Sequence, residues 1–290
     1  MNTAFLRPAR RPAVIRSARP RRRLPSARHL VLAPLSLLMV SPFVYMLLSS
    51  VMTKAELNRF PPAIIPDHLE LSGYSQLLSG SEFPRWFLNS LIVSGAIVIS
   101  QVILCSMAGY AFARMRFFGR RLALALVIAT TLIPFQLTVI PTFLIFHELH
   151  LINTLGALIV PQLASALGVY LMTSFFQSFP KELEEAARID GCSRWGVFFR
   201  IVLPVARPAI SALAVITFIY AWNDLFWPLV AISSKENYTV QVGLTTFQGS
   251  HQANWPQIMA GTVLTTVPVL AVFLIGQRRF VQALSGAVKG

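Results

Sequence analysis

Charge is scarce in this chain: 12% of its 290 residues are Asp, Glu, Lys or Arg, while 55% are hydrophobic. Soluble domains carry about 25% charged residues, so a water-soluble globule of this length is excluded. Acidic residues are scarcer still, 11 against 25 basic ones, for a net charge of +14. In a soluble protein that excess points to nucleic acid, but basic loops on one side of a membrane give the same balance. With lipid as the solvent, no nucleic-acid partner is expected. Cysteine is nearly absent: Cys105 lies in an apolar run and Cys192 in a charged loop. No disulfide framework is available, and both read as free thiols.

Groups that do chemistry are missing as well. The four lysines follow Thr53, Pro180, Ser234 and Val288. None completes the Gly-Lys-Ser/Thr that cradles nucleotide phosphates, so any ATP must be hydrolysed by another chain. His29, His68, His147, His150 and His251 are scattered, and only His147 and His150 stand together, at the end of an apolar run. No metal, cofactor or catalytic residue is expected of this chain.

What the sequence has is long apolar runs. Six are long enough to cross a hydrocarbon core of about 30 Å: approximately 30–51, 86–112, 122–146, 154–176, 208–232 and 257–277. The expected fold class is therefore all-α transmembrane, one membrane domain over 30–290 behind a basic arm at 1–29. The fourth run is interrupted by Pro161, and kinks are expected in the third at Pro134 and Pro141. The arginine-rich start is followed by an apolar run longer than the roughly 7–15 residues of a signal peptide, so it reads as an uncleaved first span.

Basic residues give the orientation, because they accumulate in cytoplasmic loops. Nine arginines precede residue 30, and Arg114, Arg116, Arg120 and Arg121 follow the second run. Lys181, Arg188, Arg194, Arg200 and Arg207 follow the fourth, and Arg278, Arg279 and Lys289 the sixth. The opposite connections hold only Lys54, Arg59, Arg85 and Lys235. Both termini are thus expected in the cytoplasm, with the Arg/Pro arm disordered on anionic lipid. Two external segments, 52–85 and 233–256, carry Tyr74, Phe83, Trp86, Tyr238, Phe247 and Trp255. These aromatics suit either an interfacial belt or contact with an external partner.

The cytoplasmic loop 177–207 reads as two short helices. Pro180 suits a first helical position, Glu182, Glu184 and Glu185 favour the positive helix start, and Gly191 suits a left-handed stop. Ser193 caps the next helix. There Trp195, Phe198, Phe199 and Val202 recur at helical spacing as one apolar face. In the first helix Ala186 and Ala187 permit close approach by another body. The pair either packs on the chain's own helix ends or fills a socket on a partner.

In the same loop Glu185-Ala186-Ala187, then Gly191, then Ile201, Leu203 and Pro204 fit the pattern EAA-x3-G-x9-I-x-L-P. The chain thereby resembles the permease subunits of binding-protein-dependent ABC importers. Ala221-Trp222-Asn223-Asp224 and the ending Ser285-Gly286-Ala287-Val288-Lys289-Gly290 resemble the carbohydrate-uptake group, particularly its maltose permease-like second subunit. Only the arginine-rich arm departs from the usual pattern. The resemblance implies a six-helix type I importer permease, with 177–207 as the coupling loop and 278–290 as a cytoplasmic tail that also touches the ATPase. It implies as partners a homologous permease, two nucleotide-binding ATPase subunits that use ATP and Mg, and an external solute-binding protein. The chain itself would sit in the bacterial inner membrane. Glu185 and Gly191 would lie at the joint with the ATPase.

A polar group inside a span is a functional candidate by default. On a continuous fifth helix Thr217, Tyr220, Asn223, Asp224 and Trp227 share a face whose hydroxyl, amide, carboxylate and aromatic groups suit a sugar. Gln136, Asn89 and Gln162 are further lining candidates. Two alternatives stand beside the sugar path. Asp224 suits the ion site of a gradient-driven transporter, and the same polar face also suits interhelical hydrogen bonding in a scaffold without a path.

Overall fold

The computed structural model describes residues 27–248 and 253–287, with side chains over 31–248 and 253–277. Most of the expected basic arm, residues 1–26, and the last three residues of the tail lie outside that description. All regular structure among the described residues is helical. The chain divides into two compact units, Met1–Val44 and Tyr45–Gly290.

The first long helix, α1 (Ala27–Ser49), contains Pro34 and Pro42 without ending. In the second unit follow α2 (Lys54–Asn58), α3 (Ser72–Ser79), α4 (Phe83–Arg114), α5 (Arg120–Ala129) and α6 (Phe135–Glu148). Then come α7 (Leu155–Ile159), α8 (Ala166–Ser178), α9 (Lys181–Ile189), α10 (Arg194–Val197) and α11 (Leu203–Val205). The chain continues through α12 (Arg207–Asn223), α13 (Phe226–Ala231), α14 (Val240–Thr246) and α15 (Trp255–Ala287).

Four described stretches, Val31–Ser49, Phe83–Arg114, Leu155–Ser178 and Trp255–Gln277, are long and apolar enough to cross a membrane, so the protein is a multi-pass membrane protein. The other expected spans are broken. The third was expected as one kinked helix over 122–146, but it turns through 101° between Leu132 and Phe135. Pro134 causes this, since the residue before a proline is driven out of the helical region: Ile133 is extended at ψ 112. Pro141 remains inside α6. The fifth was expected to run to 232, but α12 stops at Asn223, with Asp224 extended at φ −66, ψ 119. The fourth unwinds between Gln162 and Ala166, after Pro161.

Helix α4 is the spine of the second unit, with α8 and α12 along it and α15 against α12. Association in lipid depends on close packing rather than on hydrophobic transfer, so small residues mark the contacts. A Cβ at Gly109 would lie 2.6 Å from Met172 Cβ and 2.9 Å from Met172 carbonyl carbon, so only glycine lets α4 and α8 meet there.

At the Phe83 end of α4, Leu77, Phe83, Trp86, Trp222, Val240 and Ala260 pack into one cluster. Phe83 and Trp86 are buried among these neighbours rather than forming an interfacial belt or an exposed contact surface. Trp86 donates through Nε1 to the Lys235 carbonyl at 2.8 Å, and Asn89 Nδ2 donates to the carbonyls of Glu236 and Tyr238. Asn89 therefore fastens the 233–248 segment to α4. In the 50–71 segment the Glu56 carboxylate accepts from Thr53 N and Thr53 Oγ1, each at 2.7 Å, and from Asp67 N at 2.6 Å. These donors hold its pKa below the ordinary 4.5.

Candidate functional site

The loop at the Arg114 end of α4 is built from strong local signals. Pro180, extended at ψ 129, is the residue before α9, one position earlier than expected. Gly191 has φ +82, and the Gly191 and Cys192 amides donate to the Arg188 and Ala187 carbonyls, each at 3.0 Å. That is a Schellman stop. A Cβ at Gly191 would meet nothing, so its backbone conformation alone requires glycine. Ser193 Oγ accepts from Gly196 N at 3.1 Å and starts α10.

The expected single apolar face over Trp195, Phe198, Phe199 and Val202 is split. After one turn of α10 the backbone widens into a π-helical turn over Phe198–Val202, which changes the angular spacing of its side chains. Ala187, Val197, Phe198 and Val202 are buried against Tyr110, Met172 and Phe176, with Ile201 and Leu203 packed at the edge. Pro204 is half-buried in α11. Trp195 and Phe199 are 60% and 53% exposed and stack on one another at 6.0 Å. Glu185, Ala186 and Gly191 are exposed too. One face of the loop thus packs on the chain's own helix ends, and the other is open, with Trp195 and Phe199 among charged neighbours such as Glu185 and Arg194.

Glu184, read from sequence only as helix-start charge, is one of the most buried charged residues described. Arg114 Nε lies 2.8 Å from its Oε1, with both side chains under 10% exposed. Tyr110 donates its hydroxyl to Oε2 at 3.0 Å. Arg114 Nη2 also donates to the Phe179 carbonyl.

The second constellation lies where spans four and five are broken. Gln101 of α4 is buried; its Oε1 accepts from Ser165 Oγ at 2.9 Å and Thr217 Oγ1 at 3.0 Å. Its Nε2 donates at 2.9 Å to the Gln162 carbonyl, which the unwound fourth span leaves free. Gln162 Nε2 in turn donates at 3.1 Å to Asp224 Oδ2, and Asp224 Oδ1 accepts from Trp227 N at 3.4 Å. Irregular backbone at membrane depth is tolerated where it is buried in protein or borders a wet cavity. Here a cavity of about 260 Å³, bordered by Gln101, Gln162, Ser165, Thr217 and Tyr220, adjoins it.

The five fifth-span candidates do not share one helical face, because the helix ends at Asn223. Thr217 and Tyr220 reach the cavity, the latter 72% exposed. Asp224 caps the break. Asn223 is exposed, its Nδ2 bound to the Ile219 carbonyl at 2.8 Å. Trp227 is buried against Phe146 and Ala157, donating to the Ala157 carbonyl at 2.9 Å. Gln136 is exposed on α6, past the 101° turn. Gln101 and Ser165 were not anticipated, since only the tertiary fold brings them to Thr217. Among the described residues no cluster of three or more His, Cys, Asp or Glu is placed to hold a metal ion.

A match to the family described as the binding-protein-dependent transport system inner membrane component covers residues 101–286, from the buried Gln101 through the 177–207 loop to α15. The chain belongs to that family. This permease is 35% identical to the arabinooligosaccharides transport system permease protein of Halalkalibacterium halodurans, over 87% of this chain and 91% of the relative. It is 31% identical to the lactose transport system permease protein of Rhizobium radiobacter, over 93% and 98% of the two chains. The permease fold also matches a crystal structure of a bacterial ABC transporter involved in alginate import, with TM-score 0.79 and 22% identity over 88% of this chain and 95% of that one.

Proposed function

We propose that this permease is the membrane subunit of an ATP-driven importer for a sugar or sugar-like solute delivered by an external binding protein. The observation that carries the reading is the loop 179–204, anchored on one face while Glu185, Trp195 and Phe199 stand open on the other. Such a surface suits the cleft of a nucleotide-binding subunit, and family membership supports the same assignment. The ATPase pair would use ATP and Mg, a homologous permease would complete the path, and the arginine-rich loops would face the cytoplasm. ATP-driven closure of the ATPase pair would displace the loop and turn the cavity outward, a rigid-body alternation between two states.

The solute class rests on the sugar-transporting relatives and on the cavity chemistry. Gln101, Gln162, Ser165 and Thr217 offer amide and hydroxyl groups to a hydroxylated ligand, and Tyr220 offers a ring face at the edge. The deciding experiment co-purifies the wild type and the Glu185→Lys and Gly191→Asp variants with their ATPase. Uptake of radiolabelled lactose, trehalose and arabinotriose is then followed with and without an uncoupler. Wild-type association, weakened in the variants, with uptake that survives the uncoupler while ATP is maintained, supports the importer. Failure to bind any ATPase, together with uptake abolished by the uncoupler, favours ion-gradient transport through Asp224.

A further inference from the structure

The exposed face of α9 has a buried counterpart whose geometry goes beyond anchoring. Tyr110 and Arg114 stand one turn apart on α4, the spacing that puts two side chains on one helix face. Between them they engage both carboxylate oxygens of Glu184, on the side of α9 away from the open surface. Arg114 also holds the carbonyl of Phe179, the residue that ends α8. The Tyr110 ring packs on Phe176 of α8 at 5.7 Å and on Phe198 of the π-helical turn at 5.0 Å. Three other segments, α8, α9 and the π-helical turn, therefore meet at two residues of α4.

A buried ion pair is a poor source of net stability, but separating its partners strands a charge away from water. That asymmetry opposes sliding. For α9 to shift along α4, Glu184 must leave Arg114 and Tyr110 together, while the apolar packing alone would permit a gradual repacking. On the same helix Gln101 lies 13 positions before Arg114, about 20 Å at the α-helical rise.

We propose that Arg114 and Tyr110 are positioning residues that lock α9 to α4 through Glu184. Displacement of the coupling loop is then carried without slippage along α4 to Gln101 at the polar cavity. This role rests on the importer reading, and its test separates the two. Nitroxide labels are placed at Glu182→Cys on α9 and Ile103→Cys on α4, both exposed positions, in a Cys105→Ala, Cys192→Ser background. Their separation is measured by pulsed electron resonance in the assembled complex, without nucleotide and trapped with ATP and vanadate. Solute moved per ATP is measured in liposomes with whichever of lactose, trehalose or arabinotriose the wild type imports.

With the lock intact the separation is narrow and equal in both states. In the Arg114→Gln/Glu184→Gln double variant, which buries no unpaired charge, the complex assembles and hydrolyses ATP. Its separation broadens and differs between states, and solute per ATP falls about tenfold, within the range of coupling energies between sites. Arg114→Lys, which keeps the charge, retains the narrow separation. A double variant with wild-type separation and ratio overturns the proposal, as does one that fails to assemble while Arg114→Lys assembles, which reduces the pair to a folding element. A wild type that imports none of the sugars counts against the solute class of the importer reading instead, and the width of the nucleotide-free separation still decides the lock.

Discussion

The loop 177–207 and the polar cavity both pack against α4 but are specified in different ways. The loop is shaped by neighbours in sequence: the Gly191 stop and the Ser193 cap are closed by residues three to five positions away. The cavity is shaped across the chain, with Gln101 bonded to Gln162 and Thr217 at separations of 61 and 116 residues. Local signals give the loop a form that depends little on the rest of the chain. Long-range hydrogen bonds make a cavity whose polar groups have one another as partners.

Glycine draws the sharpest contrast between the interior and the loop. Gly109→Ala pushes a methyl group into the Met172 backbone and is expected to cost about 3 kcal/mol or the folded protein itself, read as thermal unfolding in detergent. Next in size is Gln101→Leu, which strands the hydroxyls of Ser165 and Thr217 and the Gln162 carbonyl at a cost of about 2 kcal/mol. Uptake should fall while ATPase association is unchanged. Gly191→Ala meets no atom and costs only the left-handed backbone, about 1 kcal/mol; a loss equal to that at Gly109 would break the contrast.

Trp195→Ala removes an exposed ring, so stability should move by no more than about 0.5 kcal/mol. ATPase association should drop, the reverse of Gln101→Leu. The smallest effect is expected at Glu56. Because its folded pKa is lowered, its contribution is complete above the ordinary 4.5 and is lost as pH falls through the folded value. Relative to the intrinsic exchange rate, which itself slows with acid, the protection of the Thr53 and Asp67 amides should weaken between about pH 6 and 3, and Glu56→Gln should remove that change in protection.

These differences follow the limits of what was legible in the chain. The EAA-to-Pro204 pattern, the Gly191 stop and the Ser193 cap were readable because each depends on nearby residues. Pro134 was visible, but a kink and a 101° turn have the same sequence signature, and packing decides between them. The fifth-span face does not form because periodicity assumes an unbroken helix and α12 ends at Asn223. Asp224 instead ends α12 and binds Gln162 of the other broken span. Glu184 looked like any acid at a helix start, since nothing local distinguishes it from the exposed Glu185.

Composition by itself determined that this is a membrane protein. The apolar runs marked the stretches that form helices, because lipid leaves the backbone little choice but a helix, yet they did not show where those helices break. Glu185-Ala186-Ala187 through Pro204 fixed the family, since the loop's form is written in local caps and turns. Tertiary structure alone decided which loop residues face inward, because the π-helical turn at Phe198–Val202 shifts their angular order. It alone made a polar cavity from Gln101, Gln162, Ser165 and Thr217. The physical reason is range: a cap is satisfied within one turn, while a buried amide in a span must find its partner on another helix.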